Sequence, residues 1–336
     1  MTFPSDAARP AGSSPQRSRP LAQIPRPAPG MRPARARRRA GPRVVLALFG
    51  QESPTPSLQR TVVLAGVLDA RVHVLRVLPG STRLQTLFSR RSVRSAVRAV
   101  QRTLSANRAT RSWLQDSPEA AEFVEHVAIA HGDFVEQTAA YAAIVDAQLI
   151  LVPPGGRQLG ETATSLACAT LIPVFVAREP IGERSIIAAT DLRDRGYPVL
   201  SRAAELAGQL AASLVAVHNV TPEQLGSGGD TAWTFSLPQS EVLYQARSSQ
   251  LASATERLAV DAKAVVLDKL SCVDAILSEA EARRADLVVV GTRRRGWLDG
   301  LVSRSVASQV VNGAERSVLV LPLAERRAAS STSALL

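Results

Sequence analysis

From Arg43 onward, short runs of consecutive apolar residues alternate with longer stretches in which apolar positions recur every three to four residues. A short apolar run bounded by polar, Gly or Pro positions predicts a strand covered on both faces, and the longer period predicts an amphipathic helix. Strands are expected near 43–49, 71–77, 122–130, 148–152 and 173–177, and again near 184–190, 213–219, 263–267, 286–290 and 317–321. Helices fill the intervals and in the second series are expected near 197–211, 240–260, 272–284 and 303–313. Gly132-Asp133 opens the helix before the fourth strand of the first series, and Ser271 caps its counterpart in the second. Such alternation implies a parallel sheet with helices on both faces.

The pattern runs twice. Arg43–Phe49 corresponds to Arg184–Thr190 at an offset of 141, Leu149–Val152 to Leu287–Val290 at 138, and Pro173–Ala177 to Ser317–Leu321 at 144. Three matches at a near-constant offset indicate an internal duplication. The expected organisation is a disordered basic tail over 1–42, a first α/β domain over 43–180, a second over 181–325 and a short disordered tail over 326–336.

Charge and composition narrow the classes that fit. Of the formal net charge of +11, residues 1–42 hold +8, nine arginines against one aspartate, so the folded part is nearly balanced. That tail is rich in Pro, Ala, Ser and Arg, has no periodicity, and cannot bury enough surface to offset its ordering entropy. Aromatic residues make up 4%, which argues against an aromatic stacking platform. Cys168 and Cys272 belong to no paired metal-ligand spacing, which suits a reducing cytoplasm, the expected location. No apolar run approaches the roughly 20 residues that span a bilayer. Arg37-Arg38-Arg39 before Val44–Phe49 imitates a twin-arginine export signal, but the apolar run is short and matches the first strand of the later repeat.

In an open doubly wound sheet, ligands bind beyond the carboxyl ends of the strands, where the order of connection reverses. With strands ordered three, two, one, four, five, that point in the second repeat lies between Thr190-Asp191, closing strand one, and Gly291, closing strand four. Asp191 can accept hydrogen bonds from a base or ribose. The loop after Gly291 would wrap a phosphate, and Ser305 would start the next helix, where free N–H groups favour an anion.

The stretch from Asp286 to Leu321, DLVVVGTRRRGWLDGLVSRSVASQVVNGAERSVLVL, together with the AATDL that opens the repeat, resembles the universal stress protein family. The likeness extends over residues 43–323 and is stronger in the second repeat. It implies two doubly wound, Rossmann-like domains in tandem, of the adenine nucleotide alpha hydrolase-like type, paired within one chain as a pseudo-dimer. In the ATP-binding branch, it implies, Thr190 and Asp191 meet the adenosine portion, while Gly291, Arg293, Ser305 and Val306 meet the phosphates and ribose. The family's loop is G-x2-G-x9-G-[S/T]; here Arg294 and Arg304 stand at its second and third glycines. Those arginines either close the site or pair with a shorter anion. The expected cofactor is ATP or another adenine nucleotide, and another branch of the family lacks the loop and binds none.

The first repeat departs further. Its connection between strands four and five runs from Pro153 to Ile172, six residues shorter than its counterpart, and Gly50 occupies the place of Asp191. Gly155, Gly156 and Gly160 remain, but Pro153-Pro154 stiffens the loop and no nucleotide is expected there. Between Asp69 and Asp116 lie ten arginines and no carboxylate, and Arg90, Arg94, Arg98 and Arg102 fall on one helical face. Beyond an ordinary solvated face, the stripe and tail suit weak, salt-sensitive polyanion binding. The four histidines form no metal spacing; His73 and His218 fall in second strands and read as packed residues. No nucleophile elbow, Walker loop or H-E-x-x-H is present, so no enzyme is expected. The expected function is regulatory, with a nucleotide altering the surface offered to an unknown protein partner. The alternative is a module without nucleotide that docks on nucleic acid or an acidic protein through its arginines.

Overall fold

A computed structural model of the chain describes residues 43–49, 61, 64–66, 68–78, 108, 112, 123–155, 158–178, 184–221, 237–293 and 305–323. The two tails, the Arg90–Arg102 stripe, Gly50, Gly156, Arg294 and Arg304 lie outside the described residues.

Among the described residues, ten strands make one sheet: β1 (Arg43–Phe49), β2 (Ala70–Leu78), β3 (Val124–His131), β4 (Leu149–Val152), β5 (Val174–Val176), β6 (Ser185–Ala189), β7 (Ser213–Asn219), β8 (Ala262–Leu267), β9 (Leu287–Arg293) and β10 (Ser317–Leu323). Their order is β3-β2-β1-β4-β5-β10-β9-β6-β7-β8. Each series of five thus runs three, two, one, four, five. Pairing within each series is parallel. The series meet through the antiparallel pair β5/β10, with Val176 opposite Val318 and Val174 opposite Val320. One continuous sheet therefore runs through both segments, and the expected division near residue 180 falls between β5 and β6.

The central strands are apolar on both sides because helices cover both faces. On one face, α3 (Pro198–Leu210) and α4 (Leu237–Thr255) pack with Leu200, Ala203 and Leu251 against Val45, Ile186, Val289 and Leu319. On the other, α1 (Phe134–Ile144), α2 (Leu159–Thr170), α5 (Cys272–Ala282) and α6 (Val306–Gly313) set Leu166, Ile276 and Val310 against Leu46, Ile150, Ile187, Val288 and Val318. In α3 the buried residues Val199, Leu200, Ala203, Ala204, Leu206 and Ala207 form one helical stripe, and Pro198 sits in the first turn, where a missing N–H costs nothing. Asp133 caps α1 by accepting from the Glu136 N–H, and Ser271 caps α5 by accepting from the Asp274 N–H.

Most element bounds shift by one to three residues from expectation, and three differences bear on the site. Strand β9 does not close at Gly291 but continues to Arg293, because β10 also extends and pairs Thr292 with Pro322 and Arg293 with Leu323. The fourth helix covers Leu237–Thr255 rather than 240–260, its end turning where the Leu258 N–H donates to the Thr255 carbonyl. Gly160 is not a loop glycine. It lies in α2, and a Cβ there would stand 2.0 Å from the Ser308 carbonyl oxygen of α6. Its N–H donates to Asn312 Oδ1 at 2.8 Å, so a bare backbone is what lets helices from the two series touch.

Candidate functional site

The carboxyl ends of β6 and β9 lie side by side. Ala188 pairs with Val289, and the same register carried on brings Thr190 level with Gly291. Asp191 and Arg293, expected on separate parts of a ligand, meet directly: Arg293 Nη1 donates to Asp191 Oδ2 at 2.7 Å. The other carboxylate oxygen accepts from the Arg193 N–H at 3.0 Å. Burial works against the Asp191 charge, but the Arg193 N–H and the Arg293 guanidinium outweigh it and hold the carboxyl below its ordinary range. The pair remains open to water, with side-chain exposures of 42% for Asp191 and 33% for Arg293.

Thr190 is held from two sides. Its Oγ1 accepts from the Leu192 N–H at 3.2 Å, and its carbonyl faces His218 Nδ1 at 2.9 Å. A carbonyl can only accept, so Nδ1 carries the proton in that bond. Burial lowers the His218 pKa, an effect the Thr190 carbonyl opposes and the Arg247 charge reinforces. The ring is therefore neutral near pH 7, and its Nε2 is a buried acceptor without a hydrogen-bond partner among the described residues.

The turn from Asp191 to Pro198 uses left-handed backbone at Leu192 (φ 55°) and Tyr197 (φ 41°), neither a glycine. Such residues persist where surroundings over-determine them. Here α4 supplies the restraint: Gln250 Nε2 donates to the Leu192 carbonyl at 3.0 Å and reaches Tyr197 Oη at 3.4 Å. Gln250 Oε1 in turn accepts from Arg247 Nη1 at 2.9 Å. The sequence reading missed Arg247, Gln250 and Tyr197 and took His218 only as packed. The one signal was on α4, where Arg247 and Gln250 lie three apart beside the buried Leu251.

The remaining expected residues have these places. Gly291 lies within β9, and a Cβ there would come within 2.6 Å of Leu323 Cδ1 and 3.0 Å of Val199 Cγ2. A side chain at this position would thus crowd Val199 of α3 and Leu323 whether or not a ligand is present. Ser305 is the N-cap of α6 and spends its Oγ on the Ser308 N–H at 3.0 Å. Val306 begins the helix and is 41% exposed. Arg294 and Arg304 lie outside the described residues. Thr292, buried between these positions, stands 3.8 Å from Cys168 Sγ of α2, so the first series abuts the strand that carries Arg293.

Among the described residues, no group of His, Cys, Asp and Glu is placed to hold a metal, and no helix is long and apolar enough to cross a membrane.

Comparison with known proteins bears on this geometry. Residues 183–322 match the model of the universal stress protein family. Universal stress protein A homolog 1 of Coxiella burnetii is 31% identical over 147 residues, which are 42% of this chain and 98% of that protein. A universal stress protein of Archaeoglobus fulgidus DSM 4304 superimposes with a TM-score of 0.58 at 13% identity, over 83% of this chain and 98% of its own. A Pseudomonas aeruginosa PAO1 protein of unknown function does so with a TM-score of 0.55 at 18% identity, over 83% and 92%. At those identities the two structures speak for the fold alone.

Proposed function

The chain belongs to the universal stress protein family, and on that premise we propose that it is a tandem, regulatory stress-response protein whose second half binds an adenine nucleotide. The first half serves as its built-in partner, the two pairing through β5 and β10 as an intramolecular pseudo-dimer. The nucleotide lies across the ends of β6 and β9, with Thr190 and Asp191 toward the adenosine portion. Arg293 and the start of α6 at Ser305 and Val306 lie toward the phosphates. Occupancy changes the surface offered to a protein partner, a population shift limited by the ligand's differential affinity for the two states. The observation that carries this reading is the convergence of Asp191 and Arg293 at the point where strand order reverses.

Thermal shift and calorimetry with ATP, ADP, AMP and cyclic nucleotides test the proposal on wild type, Asp191→Ala and Arg304→Gly. Binding by wild type that Asp191→Ala removes is the expected result. Silence in wild type with a gain in Arg304→Gly means that the arginine blocks an ancestral pocket. Silence in all three ends the nucleotide reading in favour of docking through the arginine-rich segments, which loses retention on a polyanion as salt rises.

A further inference from the structure

We infer that the Asp191–Arg293 ion pair is an internal stand-in for the ligand, so that a nucleotide binds by exchange: its phosphate takes Arg293 and thereby frees Asp191 for the ribose or base. The inference rests on the nucleotide reading above. It starts from the geometry of the carboxylate, whose oxygens are both engaged, Oδ1 by the Arg193 N–H and Oδ2 by Arg293. The Arg193 contact lies within the turn and is shared with any ligand state. The Arg293 contact spans two strands and is the one a ligand must compete with.

Both partners are accessible enough to exchange, being 42% and 33% exposed. An ion pair of that exposure is weak. A phosphate offers a guanidinium a better match than one carboxylate oxygen, because its oxygens can take the planar fork in two parallel bonds. A nucleoside without phosphate has nothing to offer Arg293 and must displace it from Asp191 uncompensated. The pair therefore selects for ligands carrying an anionic group together with a hydroxyl or amino donor, and against either part alone.

This gives opposite signs for two half-ligands, which a merely structural pair would not. Calorimetric titrations of the full chain use adenosine, inorganic pyrophosphate and ATP against wild type, Arg293→Gln and Asp191→Asn. Arg293→Gln should tighten adenosine about two- to fivefold, the weight of an exposed ion pair, and weaken ATP. Asp191→Asn should tighten pyrophosphate by a similar factor, about two- to fivefold, and leave adenosine no tighter. If wild type binds ATP but Arg293→Gln leaves adenosine unchanged or weaker, the exchange is overturned while the nucleotide reading stands. Uniform weakening of all three ligands in both variants also overturns it, since that is the mark of structural support. No binding of any ligand by any of the three proteins overturns the exchange and the nucleotide reading together.

Discussion

The carboxyl ends of β2 and β7 occupy the same place in the two series and are filled differently. Register sets Arg76 beside Phe49 in the first. In the second, Ala189 pairs with Val217, and one step on His218 bonds to Thr190, the residue that corresponds to Phe49 at the offset of 141. His218 is a neutral ring whose donor is satisfied by a backbone carbonyl. Arg76 is a guanidinium whose buried Nε has no hydrogen-bond partner among the described residues, and burial disfavours its charge. The helices after strand four differ in the same direction: Gln158 makes no side-chain cap on α2, whereas Ser305 caps α6. One backbone plan thus carries a hydrogen-bonded polar end in the second series and fewer such bonds at the described end of the first, a contrast that runs in the same direction as the meeting of Asp191 and Arg293 in the second.

The contrast is between two ends of a single sheet only if the series fold as one body. Gly160 tests this most severely, since a side chain there meets the Ser308 backbone at 2.0 Å and Asn312 Nδ2 at 2.9 Å. Gly160→Ala should destabilise by about 3 kcal/mol, the scale of overpacking against groups that cannot yield. Urea unfolding followed by far-UV circular dichroism and by amide exchange provides the check. A lower midpoint with one transition keeps the series coupled, whereas two separated transitions would mean that α2 and α6 are their main bond.

Next in size is the strand-two contrast. His218→Leu leaves the Thr190 carbonyl without its donor and should cost about 1–2 kcal/mol. Arg76→Met removes a buried nitrogen that has no partner among the described residues and should be neutral to stabilising, within about 1 kcal/mol. Equal losses at both positions would erase the distinction between the two ends. The histidine also sets a pH window. Its folded pKa lies below the ordinary 6.5, so the unfolded chain takes the proton more readily. Its stabilising contribution is whole above about pH 6.5 and is lost as pH falls toward the depressed folded value. The gap between wild type and His218→Leu should therefore narrow below about pH 6.5 in chemical denaturation. His73, also lowered by burial, is present in both proteins and cancels.

The same contrast marks where the sequence was readable. The strands were legible because most are short apolar runs between polar punctuation, and β1 and β7 have the expected bounds. Caps at Asp133 and Ser271 were legible because capping is local chemistry. What depends on chain segments far apart was not. The close approach at Gly160 depends on α6, about 150 positions on, and looked like loop composition. Asp191 and Arg293 were both singled out, but their pairing depends on side-chain reach across two strands. His73 and His218 were read alike because both lie in second strands, yet they differ in parity along the repeat and pack on opposite faces. Leu75 follows His73 toward α1 and α2, while Ala216 precedes His218 toward α3 and α4. The left-handed residues Leu192 and Tyr197 are not themselves glycines, and their restraint comes from Gln250 on a distant helix, so neither was legible locally.

The cap difference is a smaller lever. Ser305→Ala removes an acceptor from the Ser308 N–H and should cost about 1 kcal/mol. Gln158→Ala should change stability by less than about 0.5 kcal/mol, the usual range for a surface position without such a role. Thermal midpoints of the two variants measure this directly, and a loss at Gln158 matching that at Ser305 would show that both series order their helix starts equally.

The smallest effect belongs to the ion pair, because both of its partners reach water. Asp191→Asn removes the charge that Arg293 and the Arg193 N–H stabilise, and with 42% of the side chain exposed the loss should be only about 0.5 kcal/mol at neutral pH. Since the folded carboxyl titrates below its ordinary value of 3.8, the wild-type advantage is whole above that value and is lost as pH falls through the lower folded one. Its acid window thus lies beneath that of His218, and the two can be separated by urea midpoints at pH 7, 5 and 3. Added salt distinguishes the two contacts of Asp191. At about 1 M the screening length shrinks to about 3 Å, which weakens the Arg293 contribution and spares the N–H bond. A difference between wild type and Asp191→Asn that salt leaves unchanged would assign the carboxylate's role to the turn at Arg193 and remove the ion pair as a feature that sets the second series apart.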